Sequence, residues 1–265
     1  DSTIESAETV PEVVPDVSAD TAPETPDAVP DDGVEVEPDV ATAVAILERM
    51  VSRPLTPTVR GGLDGVRVGV LARVGRLDAT VQSAYEDSLR ALERAGATLV
   101  ECATDLHRTT ASVSLLTMLR SSALLHADAV RAAPTAFGGE ARALLTLGEP
   151  LAAYGELIAS VRRTVAAQTA ELFARERLDA FATPATPCVA PPRGAESVEI
   201  GGRSAPVAAG LGRDTGWARC TAMPAISGPA RDAALPAGVQ VMAPPQHDAV
   251  CVRLALVLEG ALGGA

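Results

Sequence analysis

Apolar positions first fall into a regular pattern at Val40. Val40, Val44, Leu47 and Val51 recur at helical spacing behind Asp39, a residue suited to capping a helix, so the pattern predicts a helix over Val40–Met50. Pro54 and Pro57 end it, because proline cannot continue the helical hydrogen-bond ladder. Past Gly61–Gly62 the short run Val66–Leu71 reads as a strand. Asp78 then caps a long amphipathic helix, Ala79–Ala95, with Val81, Ala84, Tyr85, Leu89 and Leu92 inward and Gly96 as its stop. Thr98–Cys102 is the next strand. Strand, helix and strand at such short spacing predict two parallel strands joined by a right-handed crossover.

The second half of the chain has a similar texture. Residues 106–133 read as a helix, and Leu151–Arg177 as another, with Tyr154, Leu157, Ile158, Val161, Val165 and Leu172 on its apolar side. Gly138–Gly139 and Gly148–Pro150 punctuate the interval between them. Ala180–Thr183 is a short strand. The proline-rich stretch Thr183–Pro192 is a rigid loop, and Ala195–Ala209 a surface excursion. Two apolar cores follow, Pro224–Ser227 and Gly238–Met242, each fenced by Pro and Gly, with Arg231–Asp232 in the joining loop. They read as a pair of central strands, and their small residues imply close backbone approach to neighbouring elements. His247–Leu262 is a closing helix, with Val250, Leu254, Val257 and Leu258 against the sheet.

Composition changes this picture at one end. The formal charge is −12, and residues 1–40 hold 13 of the 34 acids with no base, leaving a body close to neutral. Residues 1–39 carry six prolines and no helical period, so they read as an acidic disordered segment ahead of a folded part over residues 40–265. A neutral body with an acidic tail argues against nucleic-acid binding and against an anionic membrane surface. No stretch is long and apolar enough to span a bilayer. The cysteines Cys102, Cys188, Cys220 and Cys251 are far apart and without metal-ligand spacing, which reads as free thiols in a cytoplasmic protein with no metal site. The absence of Met at position 1 points to a fragment or a processed chain.

Chemistry is scarce. His107, His126 and His247 are the only histidines; His107 and His247 read as loop or cap residues beside helix starts, and His126 as structural. There is no nucleophile elbow, phosphate loop, dinucleotide fingerprint or zinc-protease motif, so no cofactor is implied. Lys and Asn are both absent, and all 22 basic residues are Arg.

Four segments in order, spanning Gly61 to Leu262, resemble the C-terminal half of the amidase signature family. The first is GGLDGVRVGVL with the Asp78 helix and RAGATLVEC, Gly61–Cys102. The second runs from Tyr154 through Val161–Arg163 to LDAFATPATPCVAPP, Leu178–Pro192. The third is CTAMPAIS, Cys220–Ser227, with Ala222 at a family glycine position, and the fourth is LPAGVQVM, Leu235–Met242. The resemblance implies an α/β fold, a three-layer α/β/α sandwich on a mixed sheet, here incomplete, and hydrolysis of carboxamide C–N bonds. It implies a Ser–Ser–Lys mechanism in which a desolvated Lys is the base. These residues supply no Lys, and Arg does not deprotonate in proteins. The chain is therefore expected to form scaffold and substrate-pocket wall, not catalytic alone, for a Lys- and Ser-bearing N-terminal half or partner subunit, with a small amide as substrate. The alternative is a non-catalytic interaction module derived from that family. The resemblance also implies two substrate-binding residues, Arg162 by its Val-Arg context and Asp214 with a one-residue slip. The ordinary role for either is a surface salt bridge.

Overall fold

The structure is a computed structural model, and it describes residues 39–51, 54–55, 62–230 and 235–262. The acidic segment up to residue 38, Pro57, Gly61 and the Arg231–Asp232 loop lie outside the described residues.

Helix α1, Val40–Val51, starts where Asp39 caps it: the carboxylate accepts the Thr42 N–H at 2.5 Å. That bond holds the Asp39 pKa below its ordinary value. Strand β1, Arg67–Leu71, leads into α2, Ala79–Arg94, whose N-cap Asp78 accepts from Thr80 N at 2.8 Å. Gly96, at φ +102°, makes the left-handed turn that ends the helix. Strand β2, Thr98–Cys102, then pairs with β1 in parallel, Arg67 opposite Thr98 and Leu71 opposite Cys102, as the spacing predicts.

Helix α3, Leu106–Ala132, is followed by α4, Gly139–Gly148, and α5, Gly155–Glu176. Strand β3 is Ala180–Pro184. The Ala195–Ala209 excursion is a hairpin, β4 Ser197–Glu199 with β5 Ser204–Pro206, running into the short helix α6, Val207–Leu211. Helix α7, Gly216–Thr221, precedes β6, Ala225–Ala230, and β7, Ala237–Met242. Helix α8, Asp248–Leu262, closes the described chain.

The main sheet has the order β2-β1-β3-β7-β6. β1 is parallel to β2 and β3, whereas β7 is antiparallel to β3 and β6, so the sheet is mixed. Side chains alternate between its faces. Val68, Ala180, Ala182, Val239 and Val241 join α2 and α8 in the larger core. Leu71, Phe181 and Met242 join α5 and α7 in a second core on the other face, where the Phe181 and Trp217 ring centroids lie 4.9 Å apart at a tilt of 57°. This is the α/β sandwich on a mixed sheet that the resemblance implies. Gly69 is needed on the second face, because a Cβ there would run into the Phe181 ring.

Several sequence expectations change. β6 is not central: β3 lies between the parallel unit and β7, and β6 ends the described sheet. CTAMPAIS begins in α7 rather than in a strand. The helix expected from Leu151 starts instead as a 3-10 turn over Glu149–Tyr154, with Pro150 at its start, and becomes α-helical at Gly155. Tyr154 and Leu157, expected inward, are 55% and 61% exposed. Leu47 and Val51 of α1 are likewise exposed, since α1 meets α8 only through the face carrying Val40 and Val44.

Candidate functional site

Polar side chains gather where β3 and β7 end on the second face. Gln240 of β7 is 5% exposed, and its amide lies 3.4 Å from both the Thr183 hydroxyl and the Asp214 carbonyl. Thr183 is 2% exposed at the end of β3. One side chain therefore ties the two strands to the turn that precedes α7. That turn is fixed from below by Gly216, where a Cβ would press on the Ala111 and Thr110 backbone of α3.

Asp214 is 4% exposed, so it makes no surface salt bridge of the ordinary kind. Its carboxylate accepts from Arg213 Nε at 3.0 Å and Nη2 at 2.9 Å. Arg213 also donates to the carbonyls of Arg76 at 2.7 Å and Val74 at 3.4 Å, joining this turn to the loop between β1 and α2. Burial pushes the Asp214 carboxyl above the usual range, and the Arg213 guanidinium opposes that push. His107 is buried on α3 rather than lying in a loop, and its Nδ1 has no hydrogen-bond partner. Burial holds its pKa below the ordinary value, with Asp214 pulling the other way. On the opposite side of the sheet the buried Tyr85 hydroxyl donates to the Ala182 carbonyl at 3.0 Å, and burial raises its pKa.

Arg162 lies elsewhere on this face. It is half-buried on α5, its buried Nε lacks a partner, and it lines an open cleft of about 330 Å³ with Ala159, Arg163, Ala166, the α7 residues Cys220 and Thr221, and Ala222 just past α7. Asp214 does not line this cleft, so the two site residues implied by the resemblance are not brought together in it. A second cleft of about 540 Å³ shares Ala166 and Thr221 and continues along α5 to Phe173, Met223 and Pro244. Ala222 ends α7 at φ +55°, the left-handed conformation in which glycine is at ease and alanine is strained. The Cys220 thiol is buried, and burial raises its pKa. Among the described residues no hydroxyl or thiol is hydrogen-bonded to a histidine ring; the Thr110 hydroxyl bonds His107 only at its backbone carbonyl, so they hold no assembled nucleophile and histidine base.

The amidase family model matches residues 36–252, most of the chain. The chain belongs to the amidase family. Among family relatives, it is 28% identical over 221 residues to AtzE, a 1-carboxybiuret hydrolase subunit of Pseudomonas sp. (strain ADP), a match covering 78% of this chain and 45% of AtzE. A crystal structure of an amidase superposes with a TM-score of 0.75 at 23% identity, covering 85% of this chain and 51% of that one. A glutamyl-tRNA(Gln) amidotransferase subunit from Thermotoga maritima superposes at 0.55 with 22% identity, over 76% of this chain and 43% of that one. At these identities the superpositions show the shared fold. The chain thus spans about half the length of the amidase-family proteins it matches.

Within this family frame the motifs acquire positions. The Thr-Pro pair Thr183–Pro184 ends β3, the Leu-Pro-x-Gly-x-Gln run places Gln240 on β7, and the two meet through the Gln240 amide. Thr183, Gln240, Arg213 and His107 were not among the site residues drawn from the sequence. Two signals were present for them. Thr183 and Gln240 are polar positions inside otherwise apolar strands. His107 shares a helical face with Thr110, Val113 and Ser114, all buried.

Proposed function

We propose that residues 40–265 are the C-terminal portion of an amidase-type hydrolase, forming scaffold and pocket wall for carboxamide hydrolysis whose nucleophile and base are supplied by other residues. The observation that carries this reading is the absence of lysine from all 265 residues of a chain that the amidase model covers from 36 to 252. The family resemblance implies a Lys base, and none of the 22 arginines can replace it. A Lys- and Ser-bearing amidase half, on the same polypeptide or another, completes the site. The naming of AtzE and of the Thermotoga protein as subunits favours an assembled enzyme.

In this reading Arg162 faces the substrate. Its half-buried side chain lines an open cleft, and a guanidinium there suits an anionic or carbonyl group of a small amide. Asp214 braces the wall: its charge is taken up by Arg213, and its carbonyl by Gln240. It reaches substrate only if Arg213 lets go.

The test measures hydrolysis of simple carboxamides by this chain, by a Lys-bearing amidase half, and by the two together. Turnover is expected from the mixture and lost when the half's Lys is replaced. Turnover by this chain alone sinks the reading.

A further inference from the structure

Asp214 carries a negative charge into the interior, and two basic groups act on it there, Arg213 and His107. Arg213 holds it directly, with Nε at 3.0 Å and Nη2 at 2.9 Å from the carboxylate oxygens. His107 is brought near by packing. Gly216, two residues past Asp214, lies against the backbone of Thr110 and Ala111, one helical turn along α3 from His107. His107 is 4% exposed, and its Nδ1 has no hydrogen-bond partner among the described residues. A buried ring nitrogen left unsatisfied is uncommon, and a protonated ring donates from both nitrogens.

Four charges reach His107: Asp214 and Arg213 from the turn before α7, Asp105 and Arg108 from the start of α3. Asp105 and Arg108 lie 4.0 Å apart in solvent and largely offset each other. The balance is therefore set by Asp214, which favours a proton on the ring, and Arg213, which opposes it. Tyr85, across the sheet, also feels Asp214, but its hydroxyl donates to the Ala182 carbonyl and burial keeps it protonated. With the ring neutral, one carboxylate faces one guanidinium. A proton on the ring sets two cations against one carboxylate, and an uncompensated charge is costly to bury. Exposure decides which cation yields. The Arg213 side chain is 25% exposed and can swing into water, whereas His107 cannot.

The departure of Arg213 also breaks its bonds to the Val74 and Arg76 carbonyls, so the loop between β1 and α2 loses its tie to the turn. Arg76 in turn donates to the Gly201 carbonyl at 2.7 Å, so the β4–β5 hairpin loosens with the loop. The Asp214 carbonyl stays held by Gln240, but α7 begins at Gly216, and its Cys220 and Thr221 line the Arg162 cleft.

We propose that His107 is a proton-operated release for Arg213. In acid the ring takes a proton from solvent and replaces Arg213 as the counter-charge of Asp214; Arg213 swings out, and the wall of the Arg162 cleft loosens from the β1–α2 loop. Acid therefore slackens the amide site. Burial holds the pKa of the ring below its ordinary value, so the release falls below about pH 6.5. This regulation rests on the proposed function, which makes α7 part of the pocket wall.

The experiment is nitrogen–proton NMR on the 265-residue chain, titrated from about pH 8 to about pH 5. It follows the His107 ring nitrogens and the Arg213 Nε–H, with far-UV circular dichroism recording the fold. Exchange protection of the Arg213 Nε–H, taken against free arginine at the same pH, should fall at least about tenfold in step with ring protonation and before any loss of fold. His107→Gln should keep that protection across the range, and Asp214→Asn should lower it at every pH; His107→Asn serves if His107→Gln unfolds. Protection that survives ring protonation, a ring that stays neutral until the fold is lost, or a loss that persists in His107→Gln, where Asp214 itself takes the proton, overturns the proposal. No turnover enters the readout: release without hydrolysis by any mixture retains the switch and fails the proposed function.

Discussion

On one face of the sheet, α2 and α8 cover strands from β1 to β6 with a continuous apolar core, and Leu254, Leu92 and Val68 there have no exposed surface. On the other face, α5 and α7 stop at β7, and polar groups sit among the apolar ones: Thr183, Gln240, Asp214 and His107 are each 5% exposed or less. The first face is finished by its own residues. Among the described residues the second is not covered throughout: Arg162 lines an open cleft there, and Ala225 and Ser227 of β6 are exposed. The contrast is between a face closed by a continuous apolar core and one on which buried polar groups and open clefts lie beside an apolar core.

Substitutions can break that contrast. The largest expected effect is Leu254→Ala on the closed face, a loss of about 2–5 kcal/mol in urea unfolding, because a fully buried side chain is removed from a packed core. A loss below about 1 kcal/mol would mean that this face is not packed as tightly as its burial implies. Next is Arg213→Ala, with a loss of about 3 kcal/mol, since it leaves the Asp214 carboxylate buried without its partner. Adding Asp214→Ala should recover part of that loss. If it recovers none, Arg213 acts through the Val74 and Arg76 carbonyls instead.

The fold was legible where periodicity and punctuation agreed. β1, α2 and β2 follow from one amphipathic pattern between a cap and a glycine, and each is present with the two strands parallel as expected. The sequence could not show which strand ends the sheet, because small apolar residues suit a centre and an uncovered edge alike. Helix α7 was hidden because six residues, GWARCT, give no full period; its place is set by packing on α3 through Gly216. The site was legible only in part. The family motifs supplied Arg162 and Asp214, but the pairing of Asp214 with the adjacent Arg213 depends on how the turn folds. The electrostatic pull of Asp214 on His107 was not legible, because the two are distant in sequence.

Smaller effects sharpen the comparison. His107 has a lowered pKa in the folded state, so the unfolded chain takes up its proton first as pH falls below about 6.5. Stability should therefore fall from pH 6.5 toward the folded value, and His107→Gln should flatten that part of the curve. Asp214 has the opposite sign. Its raised folded pKa makes stability fall as pH rises from about 3.8 through the folded value, a slope that Asp214→Asn removes. Ala222→Gly should stabilise the chain by about 1 kcal/mol, by relieving the left-handed alanine at an exposed position. The smallest effect on stability belongs to Arg162→Ala, within about 0.5 kcal/mol, since the guanidinium Nε has no partner to lose. Its consequence should appear instead as a raised KM in the assembled enzyme.

The most direct test of a finished face and an unfinished one is a titration of this chain with a lysine-bearing amidase half, read as the rate of carboxamide hydrolysis. The account requires no rate at zero added half, a rise with each addition, and a plateau at one half per chain. A rate from the chain alone, or a rate from the half that this chain leaves unchanged, would contradict it.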